Sequence, residues 1–273
     1  MRILMAKLPE LFMEYSRTHP GLVRQRREFV HYLSGGMAVK LLLKAKRVKA
    51  SSLVKKTTDF DFVFGVPKKL SFTTMTRKFN LMDRIMSRHL FGFERWLRTK
   101  YKLDCRVLKT YFDPPRQTLY NPVANKRLFR TIQFKVHIQG QSKAEGIADA
   151  SLVYIPGVRR EKVLEEYTAQ LGMPIMHLKY QYKSTMHILA GAFSSFADKD
   201  TSIKSRNPLT GTRKEKGLKN VARIKNLIRA HSGKSPLAST ATKSMIRHIE
   251  RRSVNRAFKA ASRVLRNISP YKE

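Results

Sequence analysis

Two aspartates and two glycines in the first quarter of the chain have the residue types and spacing for metal and phosphate chemistry. Asp59 and Asp61 stand two residues apart in the alternating run 59–64, so in a strand both carboxylates point to one side. Carboxylates together with triphosphate oxygens are ligands that Mg²⁺ prefers, and two such ions can clamp an in-line phosphoryl displacement. Gly35 and Gly36, at the start of a helix, would let backbone N–H groups approach a phosphate. The pattern predicts a site for Mg²⁺ or Mn²⁺ and a nucleotide.

A third carboxylate is expected on a later strand of the same sheet. Asp149 lies among small and apolar residues in the run 146–153, where an acid is costly unless a metal or a base compensates it. Asp104 is the alternative, but Lys102 and Arg106 beside it are sufficient to form an ion pair there. Asp149 is the preferred candidate for the third carboxylate, and Asp104 is the alternative.

The elements around these residues predict an α+β fold. Large apolar residues alternate with the acids in 59–64, which indicates a half-buried strand, and residues 75–97 have the spacing of a long amphipathic helix. Strands are expected at 105–112, 130–138 and 147–155, and helices from Val158 onward. We therefore expect a small mixed sheet with N-terminal helices in residues 1–157 and a basic helical domain in residues 158–273.

Two short segments resemble the DNA polymerase β-like nucleotidyltransferase superfamily. They are Leu33-Ser34-Gly35-Gly36 and Thr58-Asp59-Phe60-Asp61-Phe62. The pattern is most similar to abortive-infection-type nucleotidyltransferase toxins and to related proteins of large DNA viruses. In these, Gly-Gly-x-Ala-x-x-Leu precedes Asp-hydrophobic-Asp, as residues 35–41 and 59–61 do here. The later segment 216–223 resembles their Lys-rich helix.

The resemblance implies a nucleotidyltransferase-like core and assigns roles to residues. It implies that the catalytic and metal-binding residues are Asp59, Asp61 and Asp149. The nucleotide-binding residues that it implies are Gly35, Gly36, Lys40, Lys216, Lys219 and Arg223. The alternative for these cations is that they have no binding role, because a lysine or arginine on a helix is often only a solvated surface residue.

The net charge indicates a polyanionic partner. The 273 residues include 56 Lys and Arg against 19 Asp and Glu, a formal charge of +37. Cations that neutralise phosphates release condensed counterions, so nucleic acid is the expected partner, and an anionic membrane surface is the weaker alternative. A C-terminal helix with one continuous basic face is the expected nucleic-acid-binding element, with Arg252, Arg256, Lys259, Arg263 and Arg266.

Cysteine content and hydropathy bear on the compartment. Cys105 is alone, so no internal disulfide and no Cys-rich zinc site can form. No stretch approaches the roughly 20 apolar residues of a membrane span, and residues 1–14 do not have the pattern of a signal peptide. We expect an intracellular protein, cytoplasmic or in a virion, and not a secreted one.

Three functional hypotheses follow from the sequence. The first is metal-dependent transfer of a nucleotidyl group from an NTP to an acceptor, with RNA favoured and a protein hydroxyl possible. The second is a catalytically inactive protein of the same fold that binds nucleic acid or is packaged in a virion. The third is a ribosome-associated or chromatin-like basic protein of another fold, in which Gly35, Gly36 and the acids do not converge.

Nucleic-acid binding should be steeply salt-dependent and largely independent of sequence. The logarithm of the affinity should fall linearly with the logarithm of salt concentration, by about 0.9 per neutralised phosphate for duplex DNA and about 0.7 for a single strand. Titrations of labelled RNA and duplex DNA across a salt series measure these slopes. A flat dependence would contradict counterion release as the driving force.

Overall fold

The computed structural model describes two compact units. The first contains residues 1–38 and 58–177, and the second contains 39–57 and 178–273. The sequence-based division at 157/158 stays a prediction. The described residues are 2–22, 27–50, 54, 57–68, 70–112, 120–121, 126–155, 158, 163–164, 172–177, 181, 223 and 226–227.

Within the described residues, eight strands form one mixed sheet in the first unit. In chain order they are β1 (Val30–Ser34), β2 (Phe60–Val66), β3 (Cys105–Phe112), β4 (Tyr120–Asn121), β5 (Lys126–Ile138), β6 (Glu145–Tyr154), β7 (Val163–Leu164) and β8 (Ile175–Met176). Their spatial order is β3-β5-β6-β2-β1-β8-β7, with β4 paired to β5. The β2–β6 and β1–β8 pairs are parallel and the others antiparallel. The expected mixed sheet with helices is confirmed, whereas the C-terminal helical domain stays a prediction.

Two helices cover one face of this sheet. Helix α1 (Arg2–Thr18) inserts Phe12 edge-on against Phe60 of β2, with ring centroids 4.8 Å apart. The expected amphipathic helix at 75–97 is confirmed as α3 (Phe72–Tyr101), which begins after the N-cap Ser71 and ends at Lys102 in a left-handed conformation. Its buried side is Met75, Phe79, Met82, Ile85, Met86, His89, Leu90, Phe93 and Leu97. Among the described helices, none is long and apolar enough to cross a membrane.

The opposite face of the sheet is half-exposed, and we call it the open face. Strand residues alternate between the two faces, so the half-buried residues of β2, β5 and β6 that stand between buried ones lie on the open face. The open face is defined here by Asp61 and Val63 of β2, Asp149 and Ser151 of β6, Thr131, Gln133, Lys135 and His137 of β5, and Arg106, Leu108, Thr110 and Phe112 of β3.

Helix α2 (Gly35–Ala45) begins directly after β1, as the two glycines predict. The helical pattern expected from Val158 onward is wrong at Val163–Leu164 and Ile175–Met176, which are β7 and β8. Short apolar runs do not distinguish a strand from a helix. Here residues 175–176 form a strand because they pair with the edge of β1. Leu33 of β1 pairs with Ile175, and its N–H donates to the Pro174 carbonyl at 2.7 Å.

One buried histidine joins α1 to α3. The His89 Nε2 atom lies 2.9 Å from the Ser16 Oγ atom, and its ring packs edge-on against Phe12. Burial, together with a smaller effect of the neighbouring His19, lowers the pKa of His89 from 6.5 to about 4. The folded protein therefore holds this imidazole neutral at pH values where the unfolded chain protonates it.

His89 should make the fold sensitive to acid. Between pH 6.5 and about 4 the unfolded state binds a proton that the folded state does not, so the free energy of unfolding falls as the pH falls. Urea unfolding at about pH 7 and about pH 4.5 should show a loss of about 2 to 3 kcal/mol from this residue. The variant His89→Gln, whose amide can still bond Ser16, should lack that part of the loss. Equal pH trends in parent and variant would show that His89 does not titrate as stated.

Candidate metal and nucleotide site

The sheet register brings two of the predicted acids side by side. Asp61 of β2 is paired with Asp149 of β6 in the parallel ladder. Paired residues on neighbouring strands point to the same face, with strands about 4.8 Å apart. Ser34, the last residue of β1, is paired with Asp61 on its other side. Asp59 comes one residue before β2 begins and is exposed.

The Gly35-Gly36 turn lies directly against Asp61. Gly35 has a φ of +71°, in the left-handed region that favours glycine. A Cβ atom at Gly35 would overlap a carboxylate oxygen of Asp61. Since α2 begins at Gly35, this carboxylate lies at a helix N-terminus, where unpaired N–H groups and the helix dipole favour negative charge. The same groups can bind the phosphates of a nucleotide.

Asp149 is a half-buried acid whose ionisation is disfavoured. Burial is the main cause that raises its pKa, and the negative charge of Asp59 raises it further. A hydrogen bond that the Gln133 amide donates and the positive charge of Lys135 act in the opposite direction without cancelling the shift. Asp61 is therefore the ladder neighbour of Asp149, and Asp59 is close enough to act on the Asp149 carboxyl through its charge.

The alternative third acid, Asp104, does not join this group. Asp104 precedes β3 at the outer end of the sheet order, and β5 and β6 lie between β3 and β2. Its side chain is exposed, and its backbone carbonyl accepts a hydrogen bond from the Gln139 N–H at 2.9 Å. Of the two candidates, only Asp149 is a neighbour of Asp61.

The structure describes two of the cations that were predicted to bind nucleotide or nucleic acid. Lys40 lies in the second unit, where its ammonium donates to the Thr57 carbonyl at 3.4 Å. Arg223, also in the second unit, is helical and half-buried. The other predicted cations lie outside the described residues, and their roles stay predictions: Lys216, Lys219, Arg252, Arg256, Lys259, Arg263 and Arg266.

Sequence reasoning missed two neighbours of Asp149. Gln133 is paired with Asp149 across the β5–β6 ladder, and Lys135 follows two residues later on the same face of β5. Their signal is the polar half of an alternating pattern, in which Thr131, Gln133, Lys135 and His137 separate buried apolar residues. The alternation identifies the strand, but only the register shows which acid these residues face.

The carboxylates fit a cation that binds together with a substrate rather than one that protein ligands alone enclose. Within the described part of the chain, no group of three or more His, Cys, Asp or Glu side chains is placed to enclose a metal ion. Mg²⁺ usually takes one or two carboxylates together with substrate phosphates and several waters, so Asp61 and Asp149 supply the number of protein ligands that it needs.

No family model, curated protein or solved structure matches the chain. Two adjacent carboxylates can hold a divalent cation, and the adjoining helix N-terminus can hold phosphate. Such an arrangement can bind and orient a metal–nucleotide complex.

Replacing Gly35 by alanine should destabilise the fold through its contact with Asp61. The added Cβ overlaps the carboxylate, and alanine disfavours a φ of +71°, so we expect a loss of at least about 1 to 3 kcal/mol in the free energy of unfolding. Gly146→Ala on β6 is the matched control, because a Cβ there meets nothing within 4 Å. Urea unfolding measures both variants. Equal stability of the two would contradict the close packing of Gly35 and Asp61.

Proposed function

We propose that the chain transfers a nucleotidyl group from an NTP to a nucleic-acid acceptor, with RNA favoured, in the presence of Mg²⁺ or Mn²⁺. The observation that carries the proposal is the pairing of Asp61 with Asp149 directly beside the glycine turn that opens α2. Phosphoryl transfer requires positioning and charge stabilisation more than covalent chemistry by the protein. Adjacent carboxylates and a helix N-terminus are groups of that kind.

Each residue then has a role in binding. Asp61 and Asp149 would hold the cation, with Asp59 as a further carboxylate at the exposed side. When bound, the cation would neutralise charge on the phosphate oxygens and the leaving pyrophosphate. The first N–H groups of α2, at Gly35 and Gly36, would contact the triphosphate. The acceptor hydroxyl attacks the α-phosphorus, forming one P–O bond as the bond to pyrophosphate breaks, and the hydroxyl proton is released to solvent.

A second function is favoured by a specific observation. The described acidic side chains do not form a group of three around a metal position, and the chain carries a charge of +37. A catalytically inactive protein of this fold would bind nucleic acid through its charge and would not bind NTP. The two functions differ in whether the carboxylates are needed.

The carboxylates should be required for nucleotide binding and transfer. Mg²⁺ or Mn²⁺ together with NTP should raise the melting temperature of the parent by mass action, since the complex binds only the folded state. The double variant Asp59→Asn with Asp61→Asn should lose that rise and any transfer of labelled nucleotide to RNA. Asp104→Asn, which removes one exposed acid at the other end of the sheet, is the control and should behave as the parent does.

Asp149 gives an independent check through stability without metal. Its folded pKa is raised, so its ionisation weakens the fold, and the loss develops as the pH rises through the folded pKa. Asp149→Asn should therefore melt at a higher temperature than the parent at neutral pH, while losing the response to Mg²⁺ and NTP. If parent and both acid variants melt alike with and without Mg²⁺ and NTP, the inactive binding protein is the correct function.

A further inference from the structure

The open face continues from the carboxylates to the edge of the sheet. A single cross-strand row joins Ser34, Asp61, Asp149, Gln133 and Thr110 in the registers of β1, β2, β6, β5 and β3. Three strand spacings separate Asp61 from β3, a distance of about 14 Å. The surface beyond the acids is thus wide enough for a few nucleotides of an extended strand.

The β3 end of this face exposes apolar side chains that the core does not use. Leu108 is 40% exposed and Phe112 is 48% exposed. The alternate residues of β3, Cys105 and Val107, are buried on the other face, where the Glu94 carboxylate of α3 accepts a hydrogen bond from the Val107 N–H. The sheet is therefore already packed on its helix side, and Leu108 and Phe112 are available to a ligand.

Charge on the open face changes sign from the site to the edge. The acids Asp61 and Asp149 lie on β2 and β6, whereas the cations Lys135 and Arg106 lie on β5 and β3. Arg106 is exposed and is paired with His137, and Lys135 is paired with Leu108. A polyanion would be attracted at the β3 end and would meet a bound cation at the acidic end.

We propose that the open face of β3 and β5 binds single-stranded RNA, with its 3′ end directed to Asp61 and Asp149. This direction depends on the proposed function. Flat sheet surfaces with exposed aromatic and arginine side chains can stack unpaired bases, which a duplex keeps inside its helix. Phe112 and Arg106 supply the stacking groups, and Lys135 supplies a phosphate contact.

Hydroxyl groups on the same face favour RNA over DNA. The Thr131 Oγ1 atom lies 2.9 Å from the Ser151 Oγ atom, and Thr110 is exposed on β3. Side-chain hydroxyls can donate and accept, as the ribose 2′-OH does, and that group distinguishes the two nucleic acids at a given site.

A matched pair of double variants tests the surface. The test variant is Arg106→Gln with Phe112→Thr, which keeps residues suited to a strand. The control is Arg84→Gln with Phe91→Gln on α3, which removes one exposed cation and one exposed aromatic ring from the helix that covers the other face. Fluorescence anisotropy with a labelled single-stranded oligoribonucleotide, the same DNA sequence and an RNA duplex measures the affinities.

The test variant should bind the oligoribonucleotide about tenfold more weakly or worse, the loss expected for a stacked base. Its salt slope should stay close to that of the parent, because Arg106 is assigned to stacking and the phosphate contact is assigned to Lys135. The control and duplex binding should change little, and the parent should prefer RNA to DNA. Unchanged affinity, an equal loss in the control, or equal parent affinities for RNA and DNA would overturn the proposal.

Failure of this proposal is separable from failure of the proposed function. The melting-temperature response to Mg²⁺ and NTP reports on the carboxylate site, which Arg106 and Phe112 do not touch in the strand register. A variant that keeps this response but binds RNA as the parent does would overturn the RNA surface alone. If the parent shows no melting-temperature rise with Mg²⁺ and NTP, but the test variant still binds RNA more weakly than the parent, the nucleotidyl transfer alone is overturned.

Discussion

The contact between the Asp61 carboxylate and the Cα atom of Gly35 constrains the whole site. It exists because Ser34 is paired with Asp61 across the β1–β2 ladder, so the chain leaves β1 and begins α2 beside that carboxylate. Any side chain at Gly35 would push the acid away or move the helix, and the left-handed φ excludes most residues independently. One glycine therefore fixes the distance between a helix N-terminus and a potential metal ligand.

Holding the Asp149 carboxyl in a half-buried position has an energetic cost that its surroundings offset only in part. Burial and the charge of Asp59 raise the Asp149 pKa, while Gln133 and Lys135 work against the shift. Such residual electrostatic strain is common at functional sites, where ionisable groups are held for binding rather than for stability. Structural ion pairs can also shift pKa values, but here the positive charge of Lys135 only partly offsets the effect of burial.

Periodicity predicted the local elements well and the long-range pairing poorly. Helix α3 and strand β3 follow directly from the spacing of apolar residues, and the alternation at 59–64 gave the correct face for Asp61. The parallel pairing of Asp61 with Asp149 spans 88 residues of sequence, and no local pattern encodes which strand a strand will meet. The position of a lone acid among small and apolar residues favours Asp149 over Asp104 without knowledge of the register. Gln133 cannot be identified in this way, because alternation is its only signal. The short strands β7 and β8 were missed because two apolar residues carry no period.

The sheet separates stability from function by face. On the helix side, the rings of Phe60 and Phe93 pack edge-on against Phe12, with centroid distances of 4.8 and 5.2 Å. Apolar burial of this kind contributes most of the favourable folding energy. The open face can then carry half-buried acids and exposed cations, because the apolar core lies on the helix side of the sheet. Because the two faces alternate residue by residue, a substitution on the open face leaves the core contacts of its neighbours intact. Charge and exposed aromatic groups can therefore vary there without loss of the fold, whereas Gly35 cannot vary, because it lies where α2 meets the acids.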